Sequence, residues 1–199
     1  MYPERSYQLF SSGLYSVHAA EGTLAHVGKV LRESFSQIAW EFGTMQSLFM
    51  ARAIQLSIDN VVSGQGGPFG AVIVRNGDIV AEGVNRVTAD SDPTAHAEMV
   101  AIRQACRRLR VFQLTDCEIY TSCEPCPMCL GAIYWGRLAR VYFGNLASDA
   151  SKIGFDDSAI YREIAQVLPQ RSIPMIPLMR EQALAAFRAW EAKPNKILY

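Results

Sequence analysis

Cys126 and Cys129 stand three residues apart at the expected start of a helix. At that spacing two thiolates converge on one ion, and the exposed N–H groups of a helix start favour their anionic form. Zinc takes four protein ligands in structural sites, and three plus a water in catalytic ones, so the pair needs at least one further donor. The chain has three histidines. His18 and His26 lie in an N-terminal stretch without clear pattern, which leaves His96, in Pro93-Thr94-Ala95-His96-Ala97-Glu98, at the first turn of a second expected helix. Two helix starts would then face one cation. Glu98 follows His96 by two residues, a rotation of ~200° on a regular helix, yet at a helix start both can flank one site. Glu98 is suited to stand beside a metal-activated water without binding the metal, and to take its proton.

Other readings stay open on spacing alone. Cys126 and Cys129 could form a thiol redox pair, which leaves His96 and Glu98 without a use. Cys123 as a fourth ligand would make a closed structural zinc site. A catalytically inactive metal-binding scaffold is a third reading, against which an intact Glu98 speaks. Cys106 and Cys117 read as small packing residues.

The elements that must position these residues follow from pattern. Thr44 caps a helix with apolar residues Met50, Ala53, Ile54, Ile58 and Val61, and the stretch 64–68, Gly-Gln-Gly-Gly-Pro, ends it. Residues 69–75 and 79–84 read as strands joined by the hairpin turn Asn76-Gly77. A helix over about 94–109, a strand over 117–121, a short helix over 126–135 and a strand over 140–144 follow. Helices over 158–166 and 181–192 flank residues 173–179, which read as an edge strand weakened by Pro174 and Pro177. A hairpin followed by alternating helix and strand predicts an α/β domain whose central mixed sheet has about five strands.

Composition narrows the function classes. The 199 residues carry 19 Lys+Arg and 19 Asp+Glu, a net charge of zero, so the sequence does not suggest a dedicated nucleic-acid binder. Arg103, Arg107, Arg108 and Arg110 do cluster, either as a solvated helix end favoured by the helix dipole or as an RNA-facing patch. No apolar run reaches the ~18 residues of a membrane span and no secretory apolar core stands out near the start, so the expected location is the cytoplasm and no membrane partner is expected. Five cysteines, three within seven residues, make a poor disulfide framework and a better metal site.

His96-Ala97-Glu98 followed by Pro125-Cys126-Pro127-Met128-Cys129 matches the signature of the zinc nucleobase deaminases. Gly67-Pro68-Phe69-Gly70-Ala71, Asp92-Pro93-Thr94-Ala95-His96-Ala97-Glu98, Ser122-Cys123-Glu124 and Leu130-Gly131-Ala132-Ile133-Tyr134-Trp135 resemble the guanine deaminases of the cytidine-deaminase-like superfamily, as does Gly154-Phe155-Asp156-Asp157-Ser158. The resemblance runs from about residue 45 to the end. Residues 1–43 form an extension of unknown role, and 44–199 the deaminase domain.

The resemblance implies a cytidine-deaminase-like three-layer α/β/α fold and one zinc ion per subunit held by His96, Cys126 and Cys129. It implies hydrolysis of guanine to xanthine and ammonia by attack at C2, with Glu98 moving the proton. It places Asn85 in the substrate pocket, where an isolated reading makes it a turn former. Asp157 is expected either to accept from guanine donors or to cap the helix that follows. Phe69 and Trp135 are candidates to flank the purine, with plain core as the alternative. The resemblance also implies a homodimer in which a C-terminal arm, 158–199, is exchanged, so that Tyr199 closes a pocket. Glu163 on that arm is a candidate second acid, or else a solvated helix residue. The tRNA adenosine deaminases share both zinc motifs and are the rival reading.

Overall fold

The computed structural model describes residues 44–198, so the N-terminal extension, with His18 and His26, and Tyr199 lie outside the described residues. Helix α1 spans Met45–Val62, and the hydroxyl of its cap Thr44 accepts from the Ser47 N–H at 3.3 Å. Its buried stripe is Phe49, Ala53, Ser57 and Asn60. Of the residues the apolar spacing selects, Met50, Ala53, Ile54, Ile58 and Val61, only Ala53 is in that stripe, and Val61 is exposed. Close approach decides the face. A Cβ on Gly70 would lie 2.7 Å from the Ser57 nitrogen, so the small residues of α1 must meet the bare backbone of the strand.

Strands β1 (Gly70–Arg75) and β2 (Asp78–Val84) form the expected hairpin, with Asn76 and Gly77 both at positive φ. A short helix α2 (Val87–Asp90) leads to α3 (Ala97–Leu109). Then come β3 (Cys117–Cys123), α4 (Pro127–Trp135) and β4 (Arg140–Asn145). The sheet order is β2-β1-β3-β4, antiparallel except for the parallel pair β3–β4.

Alternation splits each central strand between two cores. Ala71, Ile73 and Ile119 pack with Ala101, Ile102 and Ala105 of α3 and with Ile133 of α4. Val72, Val74 and Tyr120 face α1, packing with Phe49 and Ala53. These are the three expected layers. Gly83 lets α3 lie close on the sheet, because a Cβ there would sit 2.6 Å from the Ala101 nitrogen. Cys117 is buried and Cys106 packs against the α3 core, as small apolar residues do.

The described residues contain four strands rather than about five. Residues 173–179 form no strand. Pro174 and Pro177 lack N–H donors, and the segment lies exposed and pairs with none of the four described strands. Beyond β4 come α5 (Ala147–Lys152), which the pattern did not show, then α6 (Ser158–Ala165), a 3-10 turn (Leu168–Gln170) and α7 (Arg180–Ala192). None of α5, α6 or α7 contains a buried residue. No described helix is long and apolar enough to cross a membrane.

Candidate active site

His96 is the cap of α3 and Cys126 the cap of α4, and both hold extended backbone, with ψ of 156° and 168°. This answers the spacing problem between His96 and Glu98. His96 precedes the first helical residue, so the helical rotation does not apply between them. Each cap residue turns its side chain into the space before its helix, and the two helix starts meet there.

The Cys126 and Cys129 sulfurs lie 3.5 and 3.6 Å from His96 Nδ1, and all three donor atoms lie within 4.8 Å of one another. Zinc bonds of about 2.3 Å to sulfur and 2.0–2.1 Å to nitrogen, at tetrahedral angles, separate S and N by roughly 3.6 Å. The donor set therefore fits zinc. The Cys129 thiol and His96 beside it pull the Cys126 thiol down to about 4, against the cost of burial. The Cys126 thiolate, burial and the Glu98 carboxylate push Cys129 the other way. One thiolate forms readily and the second needs a cation for company, which a divalent metal supplies.

Cys123 does not join the group. It is buried, and its thiol is directed at the Leu146 carbonyl, 3.8 Å away. Among the described residues no fourth His, Cys, Asp or Glu completes the set, which is the donor count of a catalytic zinc site. Glu98 is 6% exposed. Thr121 Oγ1 donates to its Oε1 at 3.2 Å, and its Oε2 lies 3.4 Å from Cys129 Sγ. Burial raises its proton affinity above that of an ordinary glutamate, which suits a carboxylate that must hold a proton near neutral pH.

A cavity of about 520 Å³ opens beside the three donors, with Glu98, Asn85, Phe69 and Asp157 in its wall. Asn85 Oδ1 accepts from the N–H groups of Gly67 and Val87, at 3.4 and 3.3 Å, and the amide Nδ2 is the end left for another acceptor. Asp157 precedes α6, but its carboxylate makes no capping hydrogen bond. Asp156 Oδ1 accepts from the Ser158 N–H at 3.0 Å instead. Capping by the neighbour leaves the Asp157 carboxylate to the cavity. Burial, and next the nearby Cys126 thiolate, raise its proton affinity.

Two expected residues are not brought to the cavity of this chain. Trp135 ends α4 nine residues beyond the cap and is 70% exposed, because the helix runs away from the metal donors. Glu163 is half-buried on α6, does not line the cavity, and its Oε2 accepts from the Ser172 N–H at 2.8 Å. Phe155, not singled out as a site residue, lines the cavity and meets Phe69 edge to face at 4.9 Å. Its signal was an aromatic directly before two aspartates. Glu124 also lines the cavity, and its Oε2 accepts from the Ala147 N–H at 3.0 Å, tying α5 to the metal loop. The arginine cluster is partly committed to the scaffold. Arg103 donates to Thr94 Oγ1 and Arg108 to the Val80 carbonyl.

These features define a zinc-dependent deaminase site, and the chain belongs to that family. The cytidine and deoxycytidylate deaminase zinc-binding region matches residues 44–145. Guanine deaminase of Bacillus subtilis is 52% identical over 151 residues, 76% of this chain and 97% of that protein. Its X-ray structure superposes with a TM-score of 0.74 over the same shares of the two chains. A guanine deaminase structure from Nitrosomonas europaea is 29% identical with a TM-score of 0.53, covering 73% of this chain and 84% of that one. A tRNA-specific adenosine deaminase of Aquifex aeolicus is 48% identical, but over 79 residues, 40% of this chain and 52% of that protein.

Proposed function

We propose that this protein hydrolyses guanine to xanthine and ammonia in the cytoplasm, as part of purine breakdown or salvage. The observation that carries the reading is the extent of the likeness to the Bacillus subtilis guanine deaminase. It spans 151 residues, well beyond the zinc region at 44–145, whereas the likeness to the Aquifex tRNA deaminase spans 79. Five unpaired cysteines suit a reducing compartment.

His96, Cys126 and Cys129 would hold zinc, one ion per subunit. When bound there, zinc would supply a Lewis acid able to bring the pKa of a water towards ~7. Glu98 takes a proton from the attacking water, delivers it to the ring nitrogen beside C2, and then carries a proton to the leaving amino group. One water is consumed and one ammonia released, with no net redox change. Asn85 Nδ2 donates to an acceptor on the purine, O6 or N7. Asp157 accepts from the donor edge formed by N1–H and the 2-amino group. Phe69, braced by Phe155, covers one face of the base.

The test is ammonia release from guanine, guanosine, adenine, cytosine, cytidine, an aminotriazine and a tRNA. Guanine is expected to be the preferred substrate, and activity confined to the tRNA would replace this reading with adenosine editing.

The protein is proposed to work as a homodimer that exchanges its C-terminal arm. The arm leaves Ile173, Ile176, Leu178 and Phe187 more than 70% exposed in the single chain, a load of apolar surface that monomers rarely carry. Light scattering is expected to give twice the chain mass. Removing Tyr199 is expected to lower turnover while leaving zinc content intact, and a fully active truncated monomer would refute the exchange.

A further inference from the structure

The buried stripe of α1 contains one amide among Phe49, Ala53 and Ser57, and that amide is Asn60, 4% exposed. A buried amide is costly unless its donors are met. Asn60 Nδ2 meets two carbonyls at once, those of Gly67 and Asn85, each at 2.9 Å. These carbonyls belong to different segments, the loop entering β1 and the connection leaving β2. The same two segments are cross-tied a second time, since the Gly67 N–H donates to Asn85 Oδ1 and the Asn85 N–H donates to the Phe69 carbonyl at 3.1 Å.

Asn85 is thus held at its N–H, its carbonyl and its Oδ1, which directs the remaining amide nitrogen. Gly66 completes the arrangement. A Cβ at that position would collide with the Asn85 carbonyl and lie 3.0 Å from Asn60 Nδ2. Asn60 itself does not line the cavity, whereas Gly67, Phe69 and Asn85 all do. The metal donors arise from other segments, the starts of α3 and α4.

We propose that Asn60 is a positioning residue for purine recognition: its buried amide clamps the Gly67 and Asn85 carbonyls together and so sets the orientation of the Asn85 amide and the Phe69 ring in the pocket. The inference rests on the guanine reading above and assigns Asn60 no contact with substrate.

The experiment is a double-variant cycle on the full chain with zinc loaded, reading kcat and KM for guanine, zinc content and melting temperature. Asn60→Asp keeps the shape but loses the donor, and it is expected to lower kcat/KM about tenfold or more, as small misplacements in a site do. Zinc content is expected to stay at one per chain. Asn85→Ala alone is expected to cost more, and adding Asn60→Asp to it is expected to cost less than twofold further, because the orientation no longer has an object. A purely structural role of Asn60 would instead multiply the two losses, and that result overturns the proposal.

Gly66→Ala supplies an arm that changes no side chain of α1 should the Asn60 variant fold poorly. It is expected to reproduce the fall in kcat/KM at a temperature where the variant stays folded with zinc at one per chain, although its melting temperature falls because the atom met is backbone. Full kcat/KM in Gly66→Ala overturns the proposal independently. A wild-type protein without turnover of guanine removes the functional reading and this inference together, whereas an active wild type with multiplicative losses removes the inference alone.

Discussion

Glu98→Gln is expected to keep its zinc and to lose about 10²–10⁴-fold in kcat, the usual worth of a positioned general acid–base group. The substitution is nearly isosteric. Thr121 Oγ1 donates to Glu98 Oε1 at 3.2 Å, and a glutamine oxygen can accept the same bond. The metal donors His96, Cys126 and Cys129 are unchanged, so zinc measured by elemental analysis stays at one per chain. The variant lacks an atom that can accept the water proton and return it. Stability points the same way. Glu98 is buried and burial disfavours its charged form, so a neutral amide there is expected to melt no lower than wild type at neutral pH. Near-normal turnover by a zinc-loaded Glu98→Gln protein would remove Glu98 from the mechanism.

Removing zinc with a chelator is expected to abolish turnover, and adding zinc back is expected to restore it. Cys129→Ala removes a donor that is fully buried between His96 and Cys126, and its activity is not expected to return with zinc. The metal also bears on folding, because a cation that binds only the native chain stabilises it by about 4 kcal/mol at a free concentration ~1,000 times Kd. For a domain of this size that is roughly 8–16 °C in melting temperature. The zinc-free chain is expected to remain folded, because its two apolar cores lie on the sheet faces and include none of the three donors. A chelated protein with full activity and an unchanged melt would overturn the metal site.

The metal donors were legible because each motif is local. Cys126 and Cys129 fall within one turn, and His96 and Glu98 within another, so residue type and short spacing state their chemistry. The hairpin was legible for the same reason, since Asn76-Gly77 carries its own backbone preference. Legibility ended where a residue's role depends on a neighbour remote in sequence. The buried face of α1 is chosen by Gly70 across the loop, and no periodicity within α1 could state it. Asp157 had two equal uses until Asp156 took the capping bond. The fifth strand failed because an edge strand needs a sheet edge to pair with as well as a suitable composition.

Sequence alone determined the reaction class of this protein: a zinc site with three donors and a carboxylate beside them, on a hairpin-led α/β domain. Residue types and local helix-start patterns offered a metal site among other readings, and the match of His96-Ala97-Glu98 and Pro125-Cys126-Pro127-Met128-Cys129 to the zinc deaminase signature selected the reaction class. Tertiary structure decided which of the remaining polar groups serve the cavity. It directed the Asn85 amide through bonds to Gly67, Val87 and Asn60. It brought Phe155 against Phe69 and left Trp135 on the surface. Apart from the local bond to Val87, those outcomes depend on partners distant in sequence: Gly67 and Asn60 lie 18 and 25 residues from Asn85, and Phe155 reaches Phe69 from the far side of the zinc motifs, so only the folded chain brings them within reach.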